Sequence, residues 1–272
     1  MKIGLALSGG AARGMAHIGV IKYLEEKKVP VQFVAGTSAG SLVGALYAAG
    51  LGAEKIEAIA NEINWKSIIK NITSVGLPRR GFINTAFLAK IMEKYLGRKT
   101  FDELKKTFIA VGVDIENGCV VHMKKGDVIS ALMASCAIPG IFTPVERDGL
   151  TLVDGGVLQN LPCRPLVDQG MKTIIAVDLN AHEDNAGPPD NIFDIIYRSI
   201  FIMARERDAQ ESKLAKYYLA PNLGEAGFWE LDRTGELIQA GYKEAKKVLD
   251  RANFKPGIWH KFVNGQKSKG GI

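Results

Sequence analysis

The stretch VAGTSAGSLVGALYAAG, residues 34–50, places Ser38 between Gly36 and Gly40, where a short apolar run meets a segment of small residues. The run before the serine predicts a strand, and the segment after it predicts a helix that packs closely on a sheet. Two interpretations of Ser38 are open at this point. The serine can cap the helix by accepting a backbone N–H group. It can instead be the nucleophile of a G-x-S-x-G turn, in which the glycines avoid a collision with the crossing backbone.

A glycine-rich loop, LSGGAARGMAH at residues 7–17, joins the first predicted strand to the first predicted helix. Such loops bind anions, because the N–H groups of the helix N-terminus point outward. A dinucleotide site would need G-x-G-x-x-G with an acidic residue after the second strand, and a P-loop would need Gly-Lys-Ser/Thr; neither pattern is present. A plain tight turn is one remaining interpretation. The other is an oxyanion hole, in which the N–H groups of Gly10, Ala11 and Ala39 face Ser38.

A serine hydroxyl needs a base before it can act as a nucleophile. The sequence has four histidines, none within a recognisable catalytic pattern: His17, His122, His182 and His260. The alternative base is Asp154, which ends the apolar run of LVDGG and is followed by Gly155 and Gly156. An Asp-Gly turn at a strand end is the simpler interpretation of this residue. As a base it would have to be desolvated, since its reference pKa is about 3.9.

Predicted strands and helices alternate along the chain, which is typical of an α/β fold with a mainly parallel central sheet and helices on both faces. Ser38 follows only the second predicted strand, and this early position argues against an α/β-hydrolase. Asn117-Gly118 predicts a hairpin turn. The segment IFDIIYRSIFIMA, residues 192–204, is apolar almost all round and predicts a core helix.

Composition predicts a soluble, cytoplasmic protein with one large domain. The chain has 272 residues, 47% of them hydrophobic, and its three cysteines form no disulfide framework. We find no signal-peptide pattern and no apolar run near the roughly 18 residues that a membrane helix needs. The formal net charge is +6, but lysines alternate with glutamates along predicted helices, which favours solvated faces over nucleic-acid binding. No spacing typical of metal ligands occurs, so we expect neither metal nor cofactor.

Four segments, SGGAARG, GTSAG, ASCAIPGIF and DGG, occur in this order between Ser8 and Gly156. With these motifs the sequence resembles the patatin-like phospholipases, in particular their small bacterial single-domain members. The resemblance implies a three-layer patatin-like fold, with an acyl-hydrolase domain at residues 1–260. Separately, the run of basic residues without acidic ones predicts a basic, flexible tail at 261–272. After Gly156 the chain carries no strong motif and fits only in its general α/β character.

The resemblance also implies a set of site residues. It implies a catalytic dyad of Ser38 and Asp154. The residues expected to form the oxyanion hole are Gly9, Gly10, Ala11, Arg13 and Ala39. The glycines expected to support the elbow and the aspartate are Gly36, Gly40, Gly155 and Gly156. Many family members have a third glycine where this chain has Ala11, so the loop must accommodate a Cβ there.

The activity implied by the resemblance is hydrolysis of lipid esters, with phospholipids, lysophospholipids or neutral lipids as the substrate class. A non-catalytic regulatory or adaptor protein on the same fold is one alternative, and an acyltransferase using the same dyad is another. We expect a lipid partner, no nucleic acid, and peripheral contact with an anionic membrane surface as an option. The candidate for that contact is residues 67–83, SIIKNITSVGLPRRGFI, with Arg79 and Arg80 near lipid phosphates.

Overall fold

The computed structural model describes residues 2–62, 85–182, 189, 192–224, 226 and 233–252, without the side chains of 193 and 194. The strands are β1 Ile3–Leu7, β2 Val31–Thr37, β3 Thr107–Asp114, β4 Cys119–Met123, β5 Val145–Arg147, β6 Leu150–Asp154, β7 Thr173–Val177 and β8 Tyr217–Leu219. The helices are α1 Met15–Glu26, α2 Ala39–Ala48, α3 Ala53–Glu62, α4 Ala86–Leu96, α5 Val128–Ser135, α6 Arg164–Asp168, α7 Ile192–Ser212 and α8 Thr234–Arg251. The predicted loop at 67–83, His260 and the predicted tail at 261–272 lie outside the described residues.

All eight strands belong to one sheet, in the order β5-β6-β3-β2-β1-β7-β8, with β4 also paired to β3. The strands β3, β2, β1, β7 and β8 are parallel to one another, and β4, β5 and β6 pair antiparallel. Because βαβ connections place helices against a parallel sheet, this sheet has its two faces covered. The predicted mainly parallel sheet is confirmed.

Alternate side chains of the central strands enter two separate apolar clusters. One face carries, among others, Leu5, Leu7, Val34, Phe108 and Ile175. They pack against apolar residues of α1, α2, α3, α4, α5 and α8. The other face carries Ala6, Ala35, Ile109, Ile174 and Ala176, and packs against Leu166 of α6 and the chain on either side of it. The two clusters give the helix–sheet–helix layers that the sequence predicts.

Two strands meet end to end on one edge of β3. Thr37, the last residue of β2, pairs with Val111 in parallel, and Asp154, the last residue of β6, pairs with Gly112 in antiparallel orientation. The opposite edge of this part of β3 is occupied by β4. The carboxyl ends of β2 and β6 therefore point toward each other, and Ser38 lies beside Asp154 at their junction.

Two hairpins join the antiparallel strands. Gly118 has a φ of +64° in the turn between β3 and β4, as the Asn-Gly pair predicts. In the turn between β5 and β6, Asp148 and Gly149 have φ of +52° and +78°. Positive φ at successive turn positions suits the right-handed twist of the paired strands.

The prediction of a core helix for residues 192–204 is wrong for one face of α7. Its inner face packs with Ile141 and Phe142, through Tyr197, Ile200 and Phe201. On the outer face, Ile202 is 68% exposed and Met203 is 67% exposed. The apolar residues occupy both sides of the helix, but the fold supplies a packing partner to only one of them. Among the described residues, no helix is long and apolar enough to cross a membrane.

Candidate active site

Ser38 occupies a strained turn between β2 and α2. Its φ of +51° and ψ of −124° are unusual for a residue with a side chain, and the residue is buried. Its backbone N–H donates to the Ser135 hydroxyl at 3.0 Å, and its carbonyl accepts from the Ser41 hydroxyl at 2.6 Å. The Ser38 side chain makes no capping hydrogen bond to α2. The helix-cap interpretation therefore does not hold, and the hydroxyl is held on a tight elbow without a capping role.

The glycines on either side of Ser38 allow backbones to cross closely. A Cβ on Gly36 would lie 2.5 Å from the carbonyl oxygen of Gly40, and a Cβ on Gly40 would lie 2.5 Å from that of Ser8. Contacts this short with backbone atoms cannot be relieved by rotating a side chain. The elbow is therefore packed directly against the end of β1, and the glycine-rich loop begins beside it.

Asp154 ends β6 next to Ser38 and is buried. Its Oδ1 accepts from the Gly156 N–H at 2.8 Å, whereas its Oδ2 is buried without a hydrogen bond of regular geometry. Burial raises the pKa of Asp154 to about 7, and the Ser38 hydroxyl and the Gly156 N–H act in the opposite direction. A Cβ on Gly155 would lie 2.5 Å from the Val111 carbonyl oxygen, so this turn also needs a glycine.

The glycine-rich loop passes directly over Ser38. A Cβ on Gly9 would lie 3.2 Å from the Ser38 Cβ. The Gly9 N–H donates to the Asn160 carbonyl at 3.3 Å and is therefore already engaged. Within the described part of the chain, nothing accepts a hydrogen bond from the N–H groups of Gly10 and Ala11. These two amides remain available as predicted oxyanion donors, while Gly9 contributes space and a fixed backbone.

Three predicted members of the oxyanion hole, Ala11, Arg13 and Ala39, have different surroundings. Ala11 has a φ of +47°, so the loop accommodates an alanine in the left-handed conformation that a glycine would adopt more easily. Arg13 is buried and its Nε donates to the Ala226 carbonyl at 2.9 Å. Arg13 thus braces the loop against the chain after β8 and is not a surface arginine. Ala39 begins α2, where the first N–H groups of a helix lack intrahelical acceptors.

None of the described histidines hydrogen-bonds to Ser38. His17 is buried, its Nε2 pairs with the Ser8 carbonyl at 2.8 Å, and burial lowers its pKa to about 4. His122 pairs with the Gln159 side chain at 2.7 Å, and His182 pairs with the Ala220 carbonyl at 3.2 Å. Each ring therefore has a partner away from the serine.

A family model matches the part of the sequence that forms this site. The model of the patatin-like phospholipases covers residues 5–167, which include the glycine-rich loop, the elbow and the turn after β6. The chain belongs to the patatin-like phospholipase family. The predicted family is confirmed.

Individual relatives of this family member include longer proteins. An uncharacterised NTE family protein of Mycobacterium tuberculosis is 34% identical over 187 residues, which are 69% of this chain and 51% of that protein. The lysophospholipase NTE1 of Candida albicans is 31% identical over 184 residues, which are 67% of this chain and 13% of that protein. The chain thus spans about half the length of the first relative and a small part of the second.

A solved structure supports the fold. The crystal structure of VipD from Legionella pneumophila superposes with a TM-score of 0.56 and 15% sequence identity, covering 91% of this chain and 66% of that chain. At this identity the likeness concerns the fold alone. It agrees with the α/β architecture described above.

Sequence reasoning missed several residues that hold the candidate site. Ser135 supports the Ser38 backbone, although it stands within the quoted motif ASCAIPGIF. Asn160 and Asn180 bind the two sides of Gly9. The signals available were a polar residue four positions after DGG and another three positions after a buried strand. Among the described residues, no group of three or more His, Cys, Asp or Glu side chains is arranged to hold a metal ion.

Proposed function

We propose that this patatin-like phospholipase is a serine hydrolase of lipid acyl esters, with Ser38 as nucleophile and Asp154 as general base. The observation that carries the proposal is a strained serine beside a buried carboxylate with one oxygen lacking a regular hydrogen bond. A pKa of about 7 makes Asp154 a stronger base than an ordinary carboxylate, while leaving it substantially ionised at neutral pH. The family and the lysophospholipase relative support lipid esters as the substrate class.

In the acylation half-reaction, Asp154 accepts the hydroxyl proton of Ser38 while the serine Oγ bonds to the ester carbonyl carbon. The negative charge that forms on the carbonyl oxygen is stabilised by the N–H groups of Gly10 and Ala11, with Ala39 as a third donor. The bond from carbon to the leaving alcohol then breaks. The Asp154 carboxyl returns its proton to that alcohol, and an acyl group remains on Ser38.

In the deacylation half-reaction, water attacks the acyl-enzyme. Asp154 takes a proton from the water as the new carbon–oxygen bond forms, and the same amides stabilise the oxyanion. The bond from carbon to the serine Oγ breaks, the proton passes to Oγ, and the carboxylic acid leaves. An alcohol in place of water would give acyl transfer with the same residues.

An apolar cluster lies next to these groups and is suited to hold the acyl chain. Its buried members are Ile138, Ile141, Phe142, Tyr197, Ile200 and Phe201. Ala11 of the glycine-rich loop and Val157, three positions after Asp154, pack against it. The cluster therefore forms an apolar surface that extends from the oxyanion donors and the base to the inner face of α7. A fatty acyl chain gains about 0.8 kcal/mol for each methylene that it buries on such a surface.

The outer face of α7 is the described surface that we assign to contact with lipid. Ile202 and Met203 are exposed there, and the next exposed residues along the helix are charged, Arg205, Glu206 and Arg207. An apolar stripe bordered by charged side chains suits a membrane surface. The variant Ile202→Asp/Met203→Asp should hydrolyse phosphatidylglycerol in vesicles at least about tenfold more slowly, because two charges oppose insertion.

The same variant should hydrolyse a soluble ester at the wild-type rate, since neither residue contacts the catalytic groups. Ile115→Asp is the matched control, because Ile115 is also exposed but lies in the β3–β4 turn. Equal vesicle hydrolysis by the α7 variant and the control would reject this surface as the lipid contact.

The decisive test is hydrolysis of a medium-chain p-nitrophenyl ester together with labelling by a fluorophosphonate. We expect Ser38→Ala to lose both activities and Asp154→Asn to lose about 10³-fold or more in kcat. Two controls should retain the wild-type rate: Asp148→Asn, an exposed aspartate, and His182→Ala.

The outcomes separate the functions. A wild-type protein that neither hydrolyses esters nor reacts with the fluorophosphonate would favour a non-catalytic lipid-binding or adaptor protein. Loss of activity in His182→Ala with retention in Asp154→Asn would overturn the dyad. Faster product formation with an added alcohol, and the alcohol ester as product, would indicate acyl transfer.

A further inference from the structure

The peptide group that joins Gly9 to Gly10 connects the interior of the protein to the proposed oxyanion site. Every described peptide bond is trans. In a planar trans peptide, the carbonyl of one residue and the N–H of the next point in opposite directions. Whatever binds the Gly9 carbonyl therefore also sets the direction of the Gly10 N–H.

Two side chains bind that carbonyl from the protein interior. The Asn180 Nδ2 donates to the Gly9 oxygen at 3.0 Å, and the Ser8 hydroxyl donates to it at 3.1 Å. The Ser8 hydroxyl in turn accepts from the Leu179 N–H at 3.0 Å, so the end of β7 is tied to the loop by consecutive residues. The amide nitrogen of Asn180 must face Gly9, because its oxygen would repel the carbonyl.

Asn180 is itself held by a short hydrogen-bonded chain. Its backbone N–H donates to Asp178 Oδ1 at 2.9 Å, and the Tyr218 hydroxyl donates to Asp178 Oδ2 at 2.8 Å. Asp178 is buried at the end of β7, and Tyr218 lies on the neighbouring strand β8. The Asn180 backbone is therefore held by Asp178, which directly follows β7, and through Asp178 by Tyr218 on β8.

The other side of Gly9 is held as firmly. Its N–H donates to the Asn160 carbonyl, and Asn160 is fully buried. Asp208 of α7 accepts from the Asn160 Nδ2 at 3.1 Å and from the Leu161 N–H at 2.9 Å. Gly9 is thus fixed at both of its polar atoms, while the amides of Gly10 and Ala11 have no acceptor among the described residues.

We propose that Asn180 is a positioning residue for the hydrolysis, which orients the Gly9–Gly10 peptide so that the Gly10 N–H faces the oxyanion formed at Ser38. Asn180 touches no reacting atom and acts only through this peptide. The inference rests on the proposed function, because it assigns a role within that reaction. It predicts a defect that appears in the transition state and not in ground-state binding.

The test compares Asn180→Ala and Asn180→Asp with the wild type in hydrolysis of a soluble p-nitrophenyl ester. Losing an oxyanion donor outright costs about 10²–10³-fold, so a donor that is only misdirected should cost about tenfold in kcat, with KM unchanged. The double variant Ser8→Ala/Asn180→Ala, which lacks both donors to Gly9, should cost about 10²-fold. Asn180→Asp keeps the size of the side chain, and its carboxylate would face the carbonyl without a proton to donate.

A second readout separates positioning from a general loss of structure. A trifluoromethyl ketone adds to the serine hydroxyl and forms a tetrahedral oxyanion, so its affinity should fall by the same factor as kcat in each variant. The matched control is Asn222→Asp, an exposed residue whose Oδ1 accepts from the Gly224 N–H, which a carboxylate can also do. Its kcat and its affinity for the ketone should equal those of the wild type.

The outcomes distinguish the two proposals. If the wild type hydrolyses the ester and Asn180→Asp keeps full kcat, Asn180 does not position the loop, and the hydrolase proposal stands. The same conclusion follows if the Asn180 variants have a lower Tm or a higher KM while kcat and the affinity for the ketone are unchanged. If the wild type does not hydrolyse the ester, the proposed function fails and this inference fails with it. Should Asn180→Ala not fold, the isosteric Asn180→Asp decides the question.

Discussion

Asp154 and Asp208 are two buried aspartates with nearly the same acidity and different surroundings. Burial is the main reason why both pKa values are raised to about 7. Asp208 uses both of its oxygens, since Oδ1 accepts from the Leu161 N–H and Oδ2 accepts from the Asn160 side chain. Asp154 uses only Oδ1, and its Oδ2 is left without a regular partner beside Ser38.

The difference shows that a raised pKa does not by itself identify a catalytic base. Both oxygens of Asp208 accept from amide N–H groups, which do not give up a proton. Asp154 has an oxygen without a regular partner next to the Ser38 hydroxyl, and it can therefore take up the proton of that hydroxyl. We therefore assign Asp154 to proton transfer and Asp208 to the support of the chain around Asn160, although burial perturbs both alike.

The largest expected effect separates the two aspartates by activity. Asp154→Ala should lower kcat for a soluble ester by about 10³-fold or more, because no other described group is placed to accept the Ser38 proton. Asp208→Ala removes a support that reaches the serine only through Asn160 and Gly9, and it should cost less than about tenfold. Steady-state kinetics on both variants, with circular dichroism to confirm folding, measures the ratio. A loss of kcat in Asp208→Ala as large as that in Asp154→Ala would contradict the different roles assigned to the two aspartates.

The next effect is the pH dependence of the reaction. Because Asp154 must be ionised to act as base, kcat/KM should rise about tenfold per pH unit below its pKa of about 7 and become constant above it. Asp208→Ala should keep this limb, since Asp208 takes no part in the proton transfer. Rates for the soluble ester between pH 5 and pH 9 provide the measurement. A limb that disappears in Asp208→Ala, or that lies near pH 4 in the wild type, would contradict the assignment.

The same two residues show what the sequence can and cannot predict. Asp154 is recognisable because its signal is local: an apolar run, an aspartate and two glycines. Asp208 carries no local signal, because its partner Asn160 is 48 positions away and the contact exists only after α7 has packed. Asn180 is missed for the same reason, since Gly9 is 171 positions away.

The fold, like the site, is predictable where it depends on residues that are close together in the sequence. Alternating strands and helices predict the layers, and the Asn-Gly pair predicts a hairpin, because both depend on neighbours in the sequence. The exposure of the outer face of α7 is not predicted. An apolar pattern shows that a helix face favours burial, but not whether the fold packs another element against that face. The meeting of β2 and β6 on one edge of β3 is likewise a matter of tertiary structure, and it is what brings Ser38 to Asp154.

The smallest expected effect concerns stability, and here the substitutions Asp154→Asn and Asp208→Ala should change Tm in opposite directions. Each is protonated in the folded state at a pH where the unfolded chain, with a pKa of about 3.9, is already ionised. Each therefore contributes stability that is complete below about pH 4 and is lost as the pH rises toward 7. At pH 8, Asp154→Asn should raise Tm by about 2–8 °C, because it removes a buried charge and its amide oxygen can still accept from Gly156.

Asp208→Ala should instead lower Tm at pH 5, because two buried N–H donors lose their acceptors while little charge burial is relieved. Thermal unfolding of both variants at pH 5 and pH 8 makes the comparison, with Asp148→Asn as the exposed control that should match the wild type. If Asp154→Asn were destabilised at pH 8, the ionised carboxylate would be a stabilising group in the fold. The burial of Asp154 would then no longer indicate that stability is sacrificed for a base.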